Sequence, residues 1–474
     1  MTLDEIRAHL QALQARDLPS HGGRTLAYVY DSGLAEADAI GREALTMFAD
    51  SNGLDPTAFP SLLAMENDLV AMAGGLLDAP AGFVGSVTSG GTESVLLAVL
   101  AARDDAGAAP RAASMVLPTT AHAAFHKAAH YFGVEPLLVD VDPRTFRADP
   151  GAMAAAVRDD TVLVVGSAPS YAQGIIDPIA ELAAMAAERG LRCHVDACIG
   201  GWVLPHLDHL DRAQQWTFAV PGVTSISVDL HKYAYTPKGV SLLLHRDSTL
   251  RRGHFFASAA WPGYTMLNST MQSTKSGGPL AAAWAVTRAI GIDGYAVLSR
   301  TAREATLAIA RGVDGIPGLR VVAEPDSTLL ALAADGSCDV FTIADEMLAR
   351  GWYVQPQMAF RGMPATLHLT LSAATAPSVP EFLTALSEAV DAAQAAGPVS
   401  LDPALAGAAA ALDPATLTDR DFDGLLALAG LAGGDDSLAL PERMAPVNAL
   451  LDIAPAPLRE AMLLAFLDRL SRPS

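Results

Sequence analysis

Between residue 61 and about residue 284 the chain alternates helical runs with short apolar segments, at 114–117, 137–139, 162–165, 192–195, 225–228 and 240–244. Strands separated by helical stretches lie side by side and are covered by those helices. The segment 61–284 therefore reads as a large α/β domain around a mostly parallel sheet. The flanks follow a different grammar. Residues 1–60 read as a helix, a loop over 22–30, a second helix and a loop ending at Phe59-Pro60. Over 285–396 a long helix, strands near 319–322, 328–332 and 365–371 and a further helix make a small α+β domain. Residues 397–474 form a helical C-terminal extension. Its stretch 457–470 is amphipathic, with Leu458, Met462, Leu463, Phe466 and Leu470 toward one side, and is expected to dock on the body or on a partner subunit.

A chain of 474 residues with 51% hydrophobic content builds a large core and more than one domain. Its formal charge of −21 repels nucleic acid and anionic membrane, so neither is expected as a partner. Three cysteines, Cys193, Cys198 and Cys338, are too few and too odd for a disulfide framework and suit a reducing compartment. Cys193 and Cys198 flank His194 and Asp196, but the spacing fits no usual zinc pattern, so no metal is expected. The start lacks a basic and apolar leader, and no run of about 18 apolar residues marks a membrane span. The expectation is a cytoplasmic protein.

Four segments of the α/β region carry chemistry. In the first, 224–233, Ile226, Val228 and Leu230 alternate with Ser225, Ser227 and Asp229, which is strand spacing. Lys232 follows at the strand's end, on the rim of a sheet. A buried lysine gives up its proton readily and becomes the nucleophilic amine that a Schiff base with an aldehyde requires. The second runs Ser86-Val87-Thr88-Ser89-Gly90-Gly91-Thr92-Glu93-Ser94 and leads into a helix. A strand, a glycine turn and a helix start present unpaired backbone amides to a phosphate. It lacks the Gly-Lys-Ser/Thr ending of a P-loop and the three-glycine spacing of a dinucleotide site. In the third, His194 and Asp196 lie two apart at a strand's end and share a face. A carboxylate buried there needs a cationic partner, and a protonated pyridine nitrogen serves. In the fourth, His122 precedes a helix, where its ring can stack on an aromatic cofactor. A phosphate cradle, a stacking ring, a carboxylate and an amine are the four things that pyridoxal 5'-phosphate needs.

These motifs resemble the fold-type I, group II pyridoxal-phosphate decarboxylase family, and within it the sphingosine-1-phosphate lyases. The resemblance rests on 88–94, on Ala121-His122-Ala123-Ala124-Phe125, on His194-Val195-Asp196-Ala197-Cys198-Ile199-Gly200-Gly201 and on 225–239. Weaker likeness runs from Gly23 to about 390, including Trp261 and Ser276-Gly277-Gly278, and nothing beyond about 397 takes part. The resemblance implies an aminotransferase-like fold with a central, mostly parallel seven-stranded sheet. It implies that Lys232 carries the cofactor, His122 stacks on its ring and Asp196 pairs with its nitrogen. Gly90, Gly91 and Thr92 would hold the phosphate with His231 nearby, and Ser273 and Thr274 would approach from the other subunit of a homodimer with shared active sites. Tyr30 would sit in the mouth and Lys238 would help to hold a substrate phosphate.

The departures bear on the substrate. Where the lyases carry a histidine in an Asn-x-Leu-His-Pro loop, this chain has Asp55, and where they carry an arginine before the Gly-Gly pair it has Lys275. A carboxylate at Asp55 repels a phosphate unless it turns away or pairs with Lys275, and a lysine loses the bidentate fork of an arginine. The polar residues of 167–174 differ as well. The expected activity is a carbon–carbon lyase that cleaves a 2-amino-3-hydroxy compound, phosphorylated or not, to an aldehyde and an amine. The alternative is an amino-acid decarboxylase.

Overall fold

The computed structural model describes the chain apart from residues 107–112, 208–214, 402–406, 408–411, 419, 422, 425–440, 473 and 474. The N-terminal stretch carries α1 (Leu3–Gln14), α2 (Ala35–Met47) and α3 (Pro60–Leu76). Thr2 and Glu5 close a reciprocal capping box on α1. Pro60 opens α3, where the amide that a proline lacks has no intrahelical partner to miss.

The large domain follows as β1 (Val84–Thr88), α4 (Gly91–Asp105), β2 (Ala113–Pro118), α5 (Ala124–Phe132), β3 (Val134–Val139), α6 (Pro150–Ala156), β4 (Thr161–Ser167), α7 (Ile179–Glu188), β5 (Arg192–Asp196), β6 (Ser225–Asp229), β7 (Ser241–His245) and α8 (Ser248–Arg251). Its seven-stranded sheet has the order β1-β7-β6-β5-β4-β2-β3. Strands β6 to β3 run parallel, and β7 runs antiparallel to both β6 and β1. Strands covered on both faces read as continuous buried runs, and β2, β5, β6 and β7 are buried along their whole length. The register places the chemistry. Ser167, Asp196 and Ser227 lie in one row across β4, β5 and β6, and Thr88, Ser241 and Asp229 in another across β1, β7 and β6. Both rows lie at the carboxyl ends of the parallel strands, where open α/β sheets bind ligands.

A hairpin of β8 (Phe256–Ser258) and β9 (Met266–Asn268) leads to α9 (Gly277–Val313), which breaks direction at Gly291, φ +66°. Only glycine takes that backbone conformation without strain. The helix thus runs through the position expected to divide the two domains, and the break comes later. The small domain adds β10 (Leu319–Val321), β11 (Leu329–Ala334), α10 (Val340–Ala349), β12 (Gln355–Gln357), β13 (Thr366–Thr370) and α11 (Val379–Ala396). Its antiparallel sheet has the order β10-β11-β13-β12. The N-terminal stretch is stitched into this domain. Leu26 donates to the Tyr353 carbonyl at 2.8 Å, accepts from the Thr370 amide at 2.7 Å and buries its side chain in the small-domain core. Those bonds fix the following residues, including Tyr30, beside the cleft.

The C-terminal extension docks on the body. The buried Asp345 of α10 accepts from the amides of Met444 and Ala445, both at 2.9 Å, at the start of α12 (Ala445–Ile453). In α13 (Ala456–Leu470) Leu458 and Met462 are buried, whereas Leu463 and Leu470 are about half exposed. The expected single apolar side is therefore narrower than drawn. At about 100° per residue, positions 463 and 470 fall on the far edge of the stripe through 458 and 462.

Candidate active site

A cavity of about 500 Å³ opens where the carboxyl ends of the sheet meet the start of α4. Gly90, Gly91, Thr92, His122, Asp196, His231, Lys232 and Lys238 all line it. Residues far apart in sequence are thus brought to one place, as the motifs required.

The first turn of α4 forms the candidate anion-binding end. Helix starts leave amide donors without intrahelical partners, and Gly91 and Thr92, in this first turn, line the cavity. Gly91 is needed for close approach, because a Cβ there would stand 2.7 Å from both carboxylate oxygens of Asp229 and 2.8 Å from Cys198 Sγ. Glu93 folds back to accept from the Ser89 amide at 2.6 Å, and Thr88 Oγ1 meets Ser94 Oγ at 2.7 Å. His231 backs the turn. Its Nδ1 lies 2.9 Å from the Val240 carbonyl.

On the opposite side Asp196 is buried and accepts from the Cys198 amide at 3.1 Å and from Ser227 Oγ at 3.4 Å. Among the described residues no cation pairs with it within salt-bridge distance. His194 lies behind it, as the two-residue spacing implied. Its ring nitrogens meet Ser225 Oγ at 2.9 Å and Ser227 Oγ at 3.2 Å, so serines occupy both. Burial pushes this histidine down to about 4, against the pull of Asp196, and the ring is neutral at neutral pH.

Lys232 departs from expectation. Its Nζ lies 2.9 Å from Asp229 Oδ2. Burial works to strip the proton, but the Asp229 charge, then Tyr30 and Cys198, and the hydrogen bond to Asp229 outweigh it and lift the ammonium above its ordinary range. Burial alone, the basis of the sequence argument, therefore gives the wrong direction, because the lysine has a buried carboxylate for a neighbour. Asp229 shows the reverse balance. Burial raises its carboxyl, yet Lys232 and His231, with hydrogen bonds from Ser241 and Lys232, hold it below the usual range.

His122 stands before α5, where its Nδ1 accepts from the Ala124 amide at 3.2 Å and its ring meets Tyr171 edge-on. Tyr30 is packed edge-on against Tyr233, and Lys238 Nζ lies 5.1 Å above its ring. Burial pushes the Tyr30 hydroxyl up to about 12, against the charge of Lys232. Lys238 donates to the carbonyls of Tyr28 at 3.0 Å and His231 at 3.2 Å.

The remaining candidates stand elsewhere. Asp55 is exposed, and its Oδ1 accepts from the amide and hydroxyl of Thr57. Lys275 Nζ bonds Glu66 Oε2 at 2.9 Å and the Val87 carbonyl at 3.0 Å, so the pairing with Asp55 is not formed. Ser273 and Lys275 line a second cavity, of about 410 Å³, which shares Ser89 and Gly239 with the first. Thr274 is exposed. Sequence reasoning missed Asp229 as a partner of Lys232, although the Asp-x-x-Lys spacing was a signal. It also missed the roof of the mouth. Tyr171 donates to Gln355 Oε1 and Gln355 Nε2 donates to Tyr28 OH, each at 2.7 Å, while Tyr171 stacks on the buried His368 at 4.1 Å.

These residues fit pyridoxal 5'-phosphate. A helix start cleared of side chains suits its phosphate, a buried carboxylate with no cation suits its ring nitrogen, and a lysine between them suits its aldehyde. Comparison with known proteins agrees. The pyridoxal-dependent decarboxylase conserved domain matches residues 25–333. The description "Pyridoxal-dependent enzyme, C-terminal putative HTH domain" matches 403–469, so the stretch that shows no resemblance by eye has relatives of its own. The chain is 38% identical over 332 residues to a sphingosine-1-phosphate lyase of Dictyostelium discoideum, covering 70% of this chain and 62% of that protein. It is 35% identical over 403 residues to one of Oryza sativa subsp. japonica, covering 82% and 73%. A solved sphingosine-1-phosphate lyase of Burkholderia pseudomallei superposes with a TM-score of 0.78 at 34% identity, covering 83% of this chain and 92% of that one. The chain therefore belongs to the pyridoxal-dependent decarboxylase family, with sphingosine-1-phosphate lyases among its relatives.

Proposed function

We propose that this protein is a carbon–carbon lyase that cleaves a 2-amino-3-hydroxy substrate bearing a phosphate. The observation that carries the reading is Lys238, a cation at the mouth of the same cavity that holds Lys232 and Asp196. When bound, pyridoxal 5'-phosphate supplies an electron-withdrawing ring that takes up the electron pair of the broken bond. The chain's own residues do the rest. Lys232 provides the amine, and Asp229 holds its proton close by. Asp196 would keep a proton on the pyridine nitrogen, and the α4 amides would hold the phosphate end. His122 and Tyr171 wall the cleft. The substrate's C2–C3 bond breaks as its 3-hydroxyl loses a proton, leaving an aldehyde. C2 then takes up a proton, leaving an amine.

The working form in this reading is a homodimer with shared sites. The β8–β9 hairpin exposes Phe256, Trp261, Tyr264 and Leu267, and large apolar side chains left in water on one short hairpin suit an interface. It leads straight to Ser273 and Thr274. Three buried, unpaired cysteines suit a reducing compartment such as the cytoplasm. Among the described residues no helix is long and apolar enough to cross a membrane.

Amino-acid decarboxylation is the second reading: Lys232 and Asp196 would serve it equally well, and Asp55, exposed and outside the cavity, does not set the substrate's charge. Product analysis separates the two. Purified protein loaded with cofactor is incubated with a phosphorylated sphingoid base, its unphosphorylated form and a panel of amino acids. Aldehyde from the phosphorylated base alone is expected. Carbon dioxide from an amino acid, without aldehyde, would refute the lyase reading.

A further inference from the structure

The cofactor's phosphate turn is gripped by two carboxylates, Glu66 outside the cofactor cavity and Glu93 on its wall. Val87 belongs to β1, the edge strand of the large sheet, and turns its backbone away from β7. Its amide donates to Glu66 Oε1 at 2.8 Å and its carbonyl accepts from Lys275 Nζ at 3.0 Å. Glu66 and Lys275 are themselves paired at 2.9 Å, and both side chains are mostly buried. An edge strand otherwise presents such groups unpaired, so one ion pair satisfies both polar groups of the residue just before Thr88-Ser89-Gly90. A second grip lies a few residues on. Glu93 accepts from the Ser89 amide at 2.6 Å with one oxygen and from the Met271 amide at 2.7 Å with the other. Segment 271–275 is thus fastened to both ends of the turn, through Met271 on Glu93 and Lys275 on Glu66.

We propose that Glu66, Lys275 and Glu93 are positioning residues that hold the phosphate-binding turn, and that Lys275 serves the cofactor through the fold and does not touch the substrate. The geometry favours the structural role, since the ammonium already has a carboxylate and a carbonyl as partners and lines the other cavity, across the turn from Lys232. An arginine at this position would keep the grip, having charge and more donors. A lone substitution of Lys275 by an apolar residue would strand the Glu66 carboxylate and damage folding. The paired variant Glu66→Gln/Lys275→Met removes the ion pair without leaving a buried charge.

The test is cofactor affinity, which does not depend on the identity of the substrate. Protein freed of cofactor is titrated with pyridoxal 5'-phosphate and followed by absorbance, and its melting is recorded by circular dichroism. Loss of hydrogen bonds that fix the turn predicts roughly tenfold weaker cofactor binding in the paired variant. Melting should stay close to that of the unaltered protein, Lys275→Arg should bind the cofactor normally, and the substrate KM at saturating cofactor should not change. Unchanged cofactor affinity in the paired variant overturns the proposal, whether or not KM rises. So does a cofactor loss that Lys275→Arg shares, or one accompanied by collapse of the fold.

Discussion

Lys238 is the residue on which the substrate question turns. Its ammonium sits between two carbonyls and over the Tyr30 ring, and burial, then the Lys232 charge, lowers it to about 8. The charged form is the one that binds a phosphate, so binding is strong below that pH and weakens as the proton leaves. The KM of a phosphorylated substrate should climb as pH rises through about 8, while that of an unphosphorylated analogue should stay level. Lys238→Leu should raise KM about tenfold or more at neutral pH and abolish the climb, with a smaller effect on kcat. Steady-state kinetics across that range decide it. Asp196 acts at the other end of the cleft. Asp196→Ala should keep much of its cofactor yet lose roughly a thousandfold or more in turnover, since stabilising a developing negative charge is a large effect. Near-normal turnover in that variant would contradict the assignment. Lys232, Asp196 and His122 were legible because each stands beside a strand or helix end that the residue pattern marks. Asp229 was not, since alternation showed only that it shares a face with Ser225 and Ser227. Its pairing with Lys232 depends on the turn that follows β6.

At the scale of elements, the anion site is a packing arrangement as much as a motif. The start of α4 lies so close to the end of β6 that no Cβ fits at Gly91 beside Asp229 and Cys198. Gly91→Ala should force those groups apart and weaken cofactor binding by roughly tenfold or more, with the contact itself costing about 1–3 kcal/mol. A titration with pyridoxal 5'-phosphate, beside a denaturation curve, measures both. The strands of the large domain were legible because buried parallel strands are short, apolar and separated by helices. β12 was not, because three residues with Pro356 in the middle carry neither the length nor the alternation of a strand. It supplies Gln355 to the roof of the mouth, so one missed element carries one missed part of the site.

Across the whole molecule the cleft is closed by contacts between parts remote in sequence. Tyr28 comes from the N-terminal stretch, Tyr171 from the large domain and Gln355 from the small one, joined by two hydrogen bonds. No local pattern announces such a junction, whereas the docking of the extension was foreshadowed by the amphipathic stretch at its end. The proposed shared-site homodimer makes its own prediction. Chains with Lys232→Ala, mixed with chains altered at Ser273 and Thr274, should recover partial activity in hybrids, because one site of each hybrid would be intact. Activity recovered by neither mixing nor refolding together would contradict shared sites. The cofactor, the substrate and the buried Asp229 all meet at one amine in this reading, and one measurement addresses it directly. Sodium borohydride fixes a pyridoxyl group onto the lysine that carries it, and peptide mass mapping locates that lysine. The account predicts a single labelled peptide containing Lys232. A label on Lys238 or Lys275, or on no lysine at all, would contradict it.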